Sequence, residues 1–262
     1  MNVSFSGQRP TGVIVTGPFR SGTSLVSGIL ADLGVFFGPL GETSPPPDRY
    51  NPLGYFQRRE IVSANTRYIA SAGGTLANPG APDALLLNGD WKILASTSTS
   101  WHAHAQVWGM KDPRFSATLH SWLNVGRLNR DHLKVVRVTR RPEAAAASVM
   151  KHREVSDYCG NDLGKALAMT EVYDANAAWT AGQAGIPVCE VAYESLITNP
   201  AHEVGRLANY LGIDDAARMR HCSRLIGKRR ALFAHYIRKA ASPGRLADTI
   251  VKTIRAKLPA SG

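Results

Sequence analysis

An α/β fold in three layers, with a central parallel sheet flanked by helices, is what this sequence predicts. Three observations predict it. Short β-branched apolar runs alternate with stretches of helical periodicity, as repeated strand–helix units require. The first run, Val13 to Val15, is continuous rather than alternating, the mark of a strand buried on both faces. The polar clusters all fall where these runs end, and parallel sheets bind their ligands at the carboxyl ends of strands.

In order, the first run centres on Val13 to Val15 and passes into a loop bracketed by Gly17 and Gly22. Leu25, Ile29 and Leu33 then recur at helical spacing and predict a helix with one face on the sheet. Residues 34–55 carry Pro45, Pro46, Pro47 and scattered glycines, so a long loop is expected, of a length often tied to function. Phe56 to Ala70 reads as a helix, and Ser71 to Gly89 as a mobile Gly/Ala/Pro-rich connection. Val107 to Arg114 predicts a second buried strand ending in a polar cluster, with a helix over Phe115 to Val125. Leu133 to Thr139 is the third strand; Pro142 and Glu143 suit the first turn of the helix after it. A long helical region is expected from Asp162 to Ala181, a fourth strand from Pro187 to Ala192, and a helix from Ala201 to Leu211. From about residue 214 the chain is basic and mostly helical in pattern. The whole reads as one domain, 1–262, with its core at about 12–213.

The net charge is +11 over 262 residues, which implies an anionic ligand, an acidic partner, or both. Three widely spaced cysteines, Cys159, Cys189 and Cys222, make no metal pattern and no disulfide framework. No apolar run approaches the length of a membrane span, and residues 1–10 lack a signal peptide's apolar core. A soluble, cytoplasmic protein is expected. His102, His104 and His120 have no carboxylate or cysteine in register with them, so no metal site is expected. The basic C-terminal segment, with Arg224, Lys228, Arg229 and Arg230 at its start, reads as solvated helix faces. It reads equally as a surface for an acidic acceptor or an anionic membrane, or as a lid over an anionic cofactor.

The first loop narrows the ligand. A strand, a glycine-bounded turn and a helix point successive backbone N–H groups, and the positive end of the helix, at one small volume suited to phosphate. This is the arrangement of P-loop folds. Gly17 and Gly22 have the spacing of the nucleoside-triphosphate motif G-x-x-x-x-G-K-S/T, yet Thr23 stands where its lysine belongs. The cation has moved inside the loop, to Arg20, among Ser21, Thr23 and Ser24. A second anion-binding pair is Arg140, at the end of the third strand, with Ser148 eight residues on, two turns into the next helix. Arg141 is the alternative arginine.

These two motifs, in this order, resemble the 5′-phosphosulfate loop and the 3′-phosphate motif of sulfotransferases that use 3′-phosphoadenosine 5′-phosphosulfate (PAPS). Tyr193-Glu-Ser-Leu, Pro200 and Leu211-Gly-Ile213 are similar to a further segment of that family. Asn51 to Gln57 and Lys111 to Arg114 are similar to its bacterial members. The resemblance spans about 12–213. It implies a metal-free, in-line transfer of a sulfuryl group to a hydroxyl or amine. It makes Pro18, Phe19, Arg20, Ser21, Gly22, Thr23 and Ser24 the donor-binding loop. Arg140 and Ser148 become the 3′-phosphate pair, Tyr193 a minor contact, and His152, with Lys151 and Arg153, a further 3′-phosphate contact. Arg20 would stabilise charge on the bridging oxygen, Lys111 would reach the sulfuryl oxygens, and Glu42 would be the base. Gln57 stands where relatives often carry Glu and cannot itself serve as a base, so Glu60, Asp48 or a histidine remain alternatives to Glu42. Asp112, between Lys111 and Arg114, reads as part of a structural ion pair. The acceptor, a small molecule, a glycan or a lipid-linked compound, is not legible, and no nucleic-acid partner is expected. Trp91, Trp101 and Trp108 border its pocket or pack the core. Two rival readings are a P-loop kinase, for which only Asp112 could hold a metal, and a non-catalytic nucleotide-binding or docking protein.

Overall fold

The computed structural model describes residues 11–39, 54–99, 105–183 and 185–226. Four strands form its sheet: β1 (Thr11–Thr16), β2 (Val107–Lys111), β3 (Leu133–Thr139) and β4 (Val188–Ala192). All are parallel, in the order β2-β1-β3-β4. β1 is therefore central, with Val13 opposite both Gly109 of β2 and Lys134 of β3. Val13, Ile14 and Val15 are fully buried, as the continuous apolar run requires.

The pleat sends Val13 and Val15 to one face and Ile14 to the other, and each face has its own helices. On the first lie α1 (Thr23–Asp32), α9 (Tyr193–Thr198), α10 (Pro200–Leu211) and a helical stretch over 216–226. Val26, Ile29, Leu196, Leu207 and Cys222 close that core. On the second lie α2 (Arg59–Ser71), α3 (Pro82–Asn88), α4 (Trp91–Ala95) and α5 (Phe115–Asn124), closed by Ile61, Tyr68, Leu85, Leu94 and Trp122. The three expected layers are present. A third cluster, built from α6 (Pro142–Val149), α7 (Arg153–Tyr158) and α8 (Leu163–Gln183), packs Ala146, Val155, Met169 and Tyr173 around Phe19. It lies beside the β1–α1 loop and gives that loop a rigid wall.

The connection expected over 71–89 is more ordered than its composition suggests. α3 forms with Pro82 in its first turn, Leu85 is buried, and the preceding turn is tied to α8. Tyr173 Oη donates to the Leu76 carbonyl at 3.1 Å, and Asn176 Nδ2 to that of Gly80 at 2.8 Å. Glycine and proline there set the turns, while hydrogen bonds from a distant helix fix them. No helix among the described residues is long and apolar enough to cross a membrane.

Candidate active site

The β1–α1 loop opens at Gly17, φ 140°, and closes at Gly22, φ 103°. A Cβ at Gly17 would lie 2.1 Å from the Val138 carbonyl oxygen, and one at Gly22 would lie 2.5 Å from Tyr193 Cδ2. Both positions need glycine for backbone conformation and for space. The Ser21 N–H donates to the Pro18 carbonyl at 3.2 Å and tightens the turn. Gly22 caps α1 with no side-chain hydrogen bond, so the first N–H groups of this ten-residue helix remain available at the loop.

Arg20 sits between the glycines at φ 63°, a left-handed conformation that costs an L-residue about 1–2 kcal/mol. Two residues from the neighbouring strand end hold it there. Arg140 Nη1 donates to the Arg20 carbonyl at 2.9 Å, and Arg20 Nε donates to Ser148 Oγ at 3.3 Å. The Arg140 guanidinium in turn lies over the Tyr193 ring, 4.5 Å from its centroid. The ends of β1, β3 and β4 thus converge on one small region: Arg20 from the first, Arg140 and Ser148 from the second, Tyr193 from the third.

Arg141 points elsewhere. Its guanidinium is largely exposed and 3.7 Å from Glu194, and its N–H donates to the same carboxylate at 3.3 Å. Lys151 and Arg153 are exposed, whereas His152 is buried between them and shares a 2.8 Å hydrogen bond with Tyr55 Oη through Nε2. Phe19 turns its ring away from the loop, edge-on to Tyr158 and Tyr173 at 5.9 and 5.0 Å.

Lys111 ends β2 beside the loop. Its side chain is buried, and Nζ donates to Ser24 Oγ at 3.1 Å. Burial, more than any neighbour, lowers its pKa to about 7; Asp112 opposes the shift, and Arg20 and Arg114 add to it. Asp112 is fully buried and committed elsewhere. It accepts from Arg114 Nη1 at 2.9 Å, from the Arg114 N–H at 3.1 Å, from Asn65 Nδ2 at 3.0 Å and from Gln57 Nε2 at 3.5 Å. Asn65 Oδ1 also accepts from Thr118 and Trp122, at 2.8 and 2.7 Å. Gln57 is therefore a buried donor to this carboxylate.

Tyr55 and Asn65 were not among the sequence candidates. Asn65 carried a signal: it is a polar residue in register with the buried face Ile61, Ala64, Tyr68 and Ile69 of α2. Tyr55 carried none beyond its place after a glycine. Glu60 pairs with Arg58 at 2.6 Å. Trp108 packs against Gly12 in the core, and Trp91 is exposed. Glu42, Asp48, Trp101, His102, His104 and the basic residues from Lys228 onward lie outside the described residues. Among the described residues no cluster of His, Cys, Asp and Glu could hold a metal ion.

Two buried groups around the loop, Arg140 Nε and Ser21 Oγ, make no hydrogen bond among the described residues. A buried donor left unsatisfied costs about 1–3 kcal/mol, so each is an opening for a ligand atom. With Arg20, Arg140, Lys111 and the start of α1, the region is strongly cationic and suits a polyanion.

The sulfotransferase family model matches residues 10–217. The chain belongs to the sulfotransferase family. It is a transferase, and the chemistry expected of its strand ends is that of sulfotransferases. Comparison with curated proteins gave no match. Among solved structures, the chain is similar to the sulfotransferase domain of the Synechococcus PCC 7002 olefin synthase, at 20% identity and a TM-score of 0.47. That match covers 84% of this chain and 80% of that one. The sulfotransferase domain of the curacin biosynthetic pathway matches at 14% identity and 0.49, over 82% and 77% of the two chains. Sulfotransferase STF9 of Mycobacterium avium matches at 16% and 0.47, over 83% and 67%.

Proposed function

We propose that this sulfotransferase takes its sulfuryl group from PAPS and passes it to a hydroxyl or amine of a small-molecule, glycan or lipid-linked acceptor. The observation that carries the reading is the joining of Arg20, Arg140 and Ser148 at one loop that lacks the lysine of a nucleoside-triphosphate site. Bound there, PAPS supplies an activated sulfuryl group on a phosphate leaving group. The N–H groups of the loop and of the first turn of α1 hold the 5′-phosphate side, with Ser21, Thr23 and Ser24. Arg140 and Ser148 hold the 3′-phosphate, and Tyr193, under Arg140, flanks the nucleotide. Arg20 stands by for negative charge on the bridging oxygen. Ser148, which receives its Nε at 3.3 Å, keeps that guanidinium tied until a ligand claims the hydroxyl. Glu42 takes the acceptor's proton.

Calorimetric titration with adenosine 3′,5′-bisphosphate, with ADP as control and no metal present, tests the reading. The expected result is micromolar affinity, about −8 kcal/mol, with ADP at least tenfold weaker. Equal affinity for the two would remove the 3′-phosphate site and with it the PAPS assignment. A Glu42→Gln variant should then bind the bisphosphate unchanged and lose turnover; retained turnover would move the base elsewhere.

A further inference from the structure

Lys111 occupies a position in which its charge and the ligand's charge cannot be independent. Its amine is buried, on the last residue of β2, and its hydrogen-bond partner is Ser24 Oγ in the first turn of α1. Every element packed around it can be named by its charge. The loop contributes Arg20, and the start of α5 contributes Arg114. The segment before α2 contributes Tyr55, whose ring centroid is 5.9 Å from Nζ, with His152 of the α6–α7 turn hydrogen-bonded behind it. Among the described residues Asp112 is the one anion acting on the amine, and its oxygens are occupied by Arg114, Asn65 and Gln57. The positive end of α1 adds to the same side. An ammonium here therefore faces two guanidiniums and a helix N-terminus, against a carboxylate already shared among three donors.

We propose that the site binds its anionic ligand together with a proton, which Lys111 takes up. This rests on the phosphosulfate reading of the loop. Without a ligand the buried amine loses its proton near pH 7. A dianion placed against the loop supplies the counter-charge that Asp112 does not, and raises the pKa of the amine back towards its ordinary 10.5. In the window between those two values the free site is neutral at Lys111 and the complex is charged. The proton enters from solvent and ends on Nζ, beside Ser24, within the region where transfer builds negative charge. Affinity for the ligand therefore falls as pH rises from the lower value to the upper one, and levels off above it, where the complex no longer gains a proton.

The test is calorimetry of adenosine 3′,5′-bisphosphate binding in buffers of different ionisation enthalpy. The dependence of the observed heat on the buffer counts the protons. At pH 8, where the ligand's own phosphates are fully ionised, most of one proton should enter per ligand bound. Lys111→Met and Lys111→Arg should each abolish the uptake at pH 8, the first by removing the amine and the second by making the charge permanent. Binding without uptake in the native protein overturns the proposal and leaves the function standing. Uptake that persists in both variants overturns it too, by assigning the proton to another group. No bisphosphate binding at any pH overturns the function, and the proton with it.

Discussion

Arg140 does three things at once. It fixes a carbonyl in a left-handed turn, stacks on Tyr193, and keeps a buried Nε free of protein partners among the described residues. Arg140→Ala should therefore lower bisphosphate affinity about 100-fold, near 2.7 kcal/mol, because a charged ligand contact and the support of the loop are lost together. Ser148→Ala removes only a hydroxyl, and about tenfold is expected in the same titration. Gly22→Ala adds a Cβ to a φ of 103° and 2.5 Å from Tyr193. Thermal melting should show a loss of about 1–3 kcal/mol. Tyr193→Ala in the same chain should relieve the clash but not the strain, so recovery should be partial. Lys111 makes a prediction about pH. Its folded pKa of about 7 lies below the ordinary 10.5, so between these values the unfolded chain binds more protons than the native one. Stability of the ligand-free protein should then rise with pH above 7, by up to about 1.4 kcal/mol per pH step. In Lys111→Met that rise should be flattened, as parallel urea titrations at pH 7, 8 and 9 would show.

Among the elements, the end of β2 is the most exacting. Asp112 sits where a strand hands over to α5, and it accepts four hydrogen bonds that tie α2, α5 and the segment before α2 together. Asp112→Asn leaves Arg114 buried without its counter-charge and should cost about 3–5 kcal/mol in equilibrium unfolding. Leu85→Ala should cost about 2–5 kcal/mol, since α3 has little else buried; a negligible effect would mean α3 is dispensable. The strands and the long helices were legible because their periodicities run for several residues and end at recognisable turns. α3, α4 and α9 were not, because five to seven residues are too few to show a helical period. The turn that leads into α3 is held by distant partners, Tyr173 and Asn176 of α8. In the site, Arg20, Arg140 and Ser148 were legible because loop and strand ends announce themselves in composition. The direction of Phe19's ring and of Arg141 was not, since direction depends on what the chain brings alongside. Phe19 meets Tyr158 and Tyr173, and Arg141 meets Glu194, each pair joined only by the fold.

At the scale of the molecule, two cores on opposite sheet faces and a third beside the loop leave one edge, the carboxyl ends of the strands, to carry the chemistry. The net charge of +11 attracts anions to the molecule as a whole. Association of the bisphosphate should slow markedly between 20 and 300 mM salt while a neutral nucleoside is unaffected, and stopped-flow measurement would show it. The seating of Tyr193 against Gly22 has a consequence for biosynthesis. The loop is among the first parts of the described chain to leave the ribosome, and the residue that walls it arrives with the last strand. At about 5–20 residues per second, that wait is roughly ten to thirty seconds. During it the emerging chain has the β1–α1 loop without the ring that packs against Gly22, so the closed form of the loop waits for the end of β4.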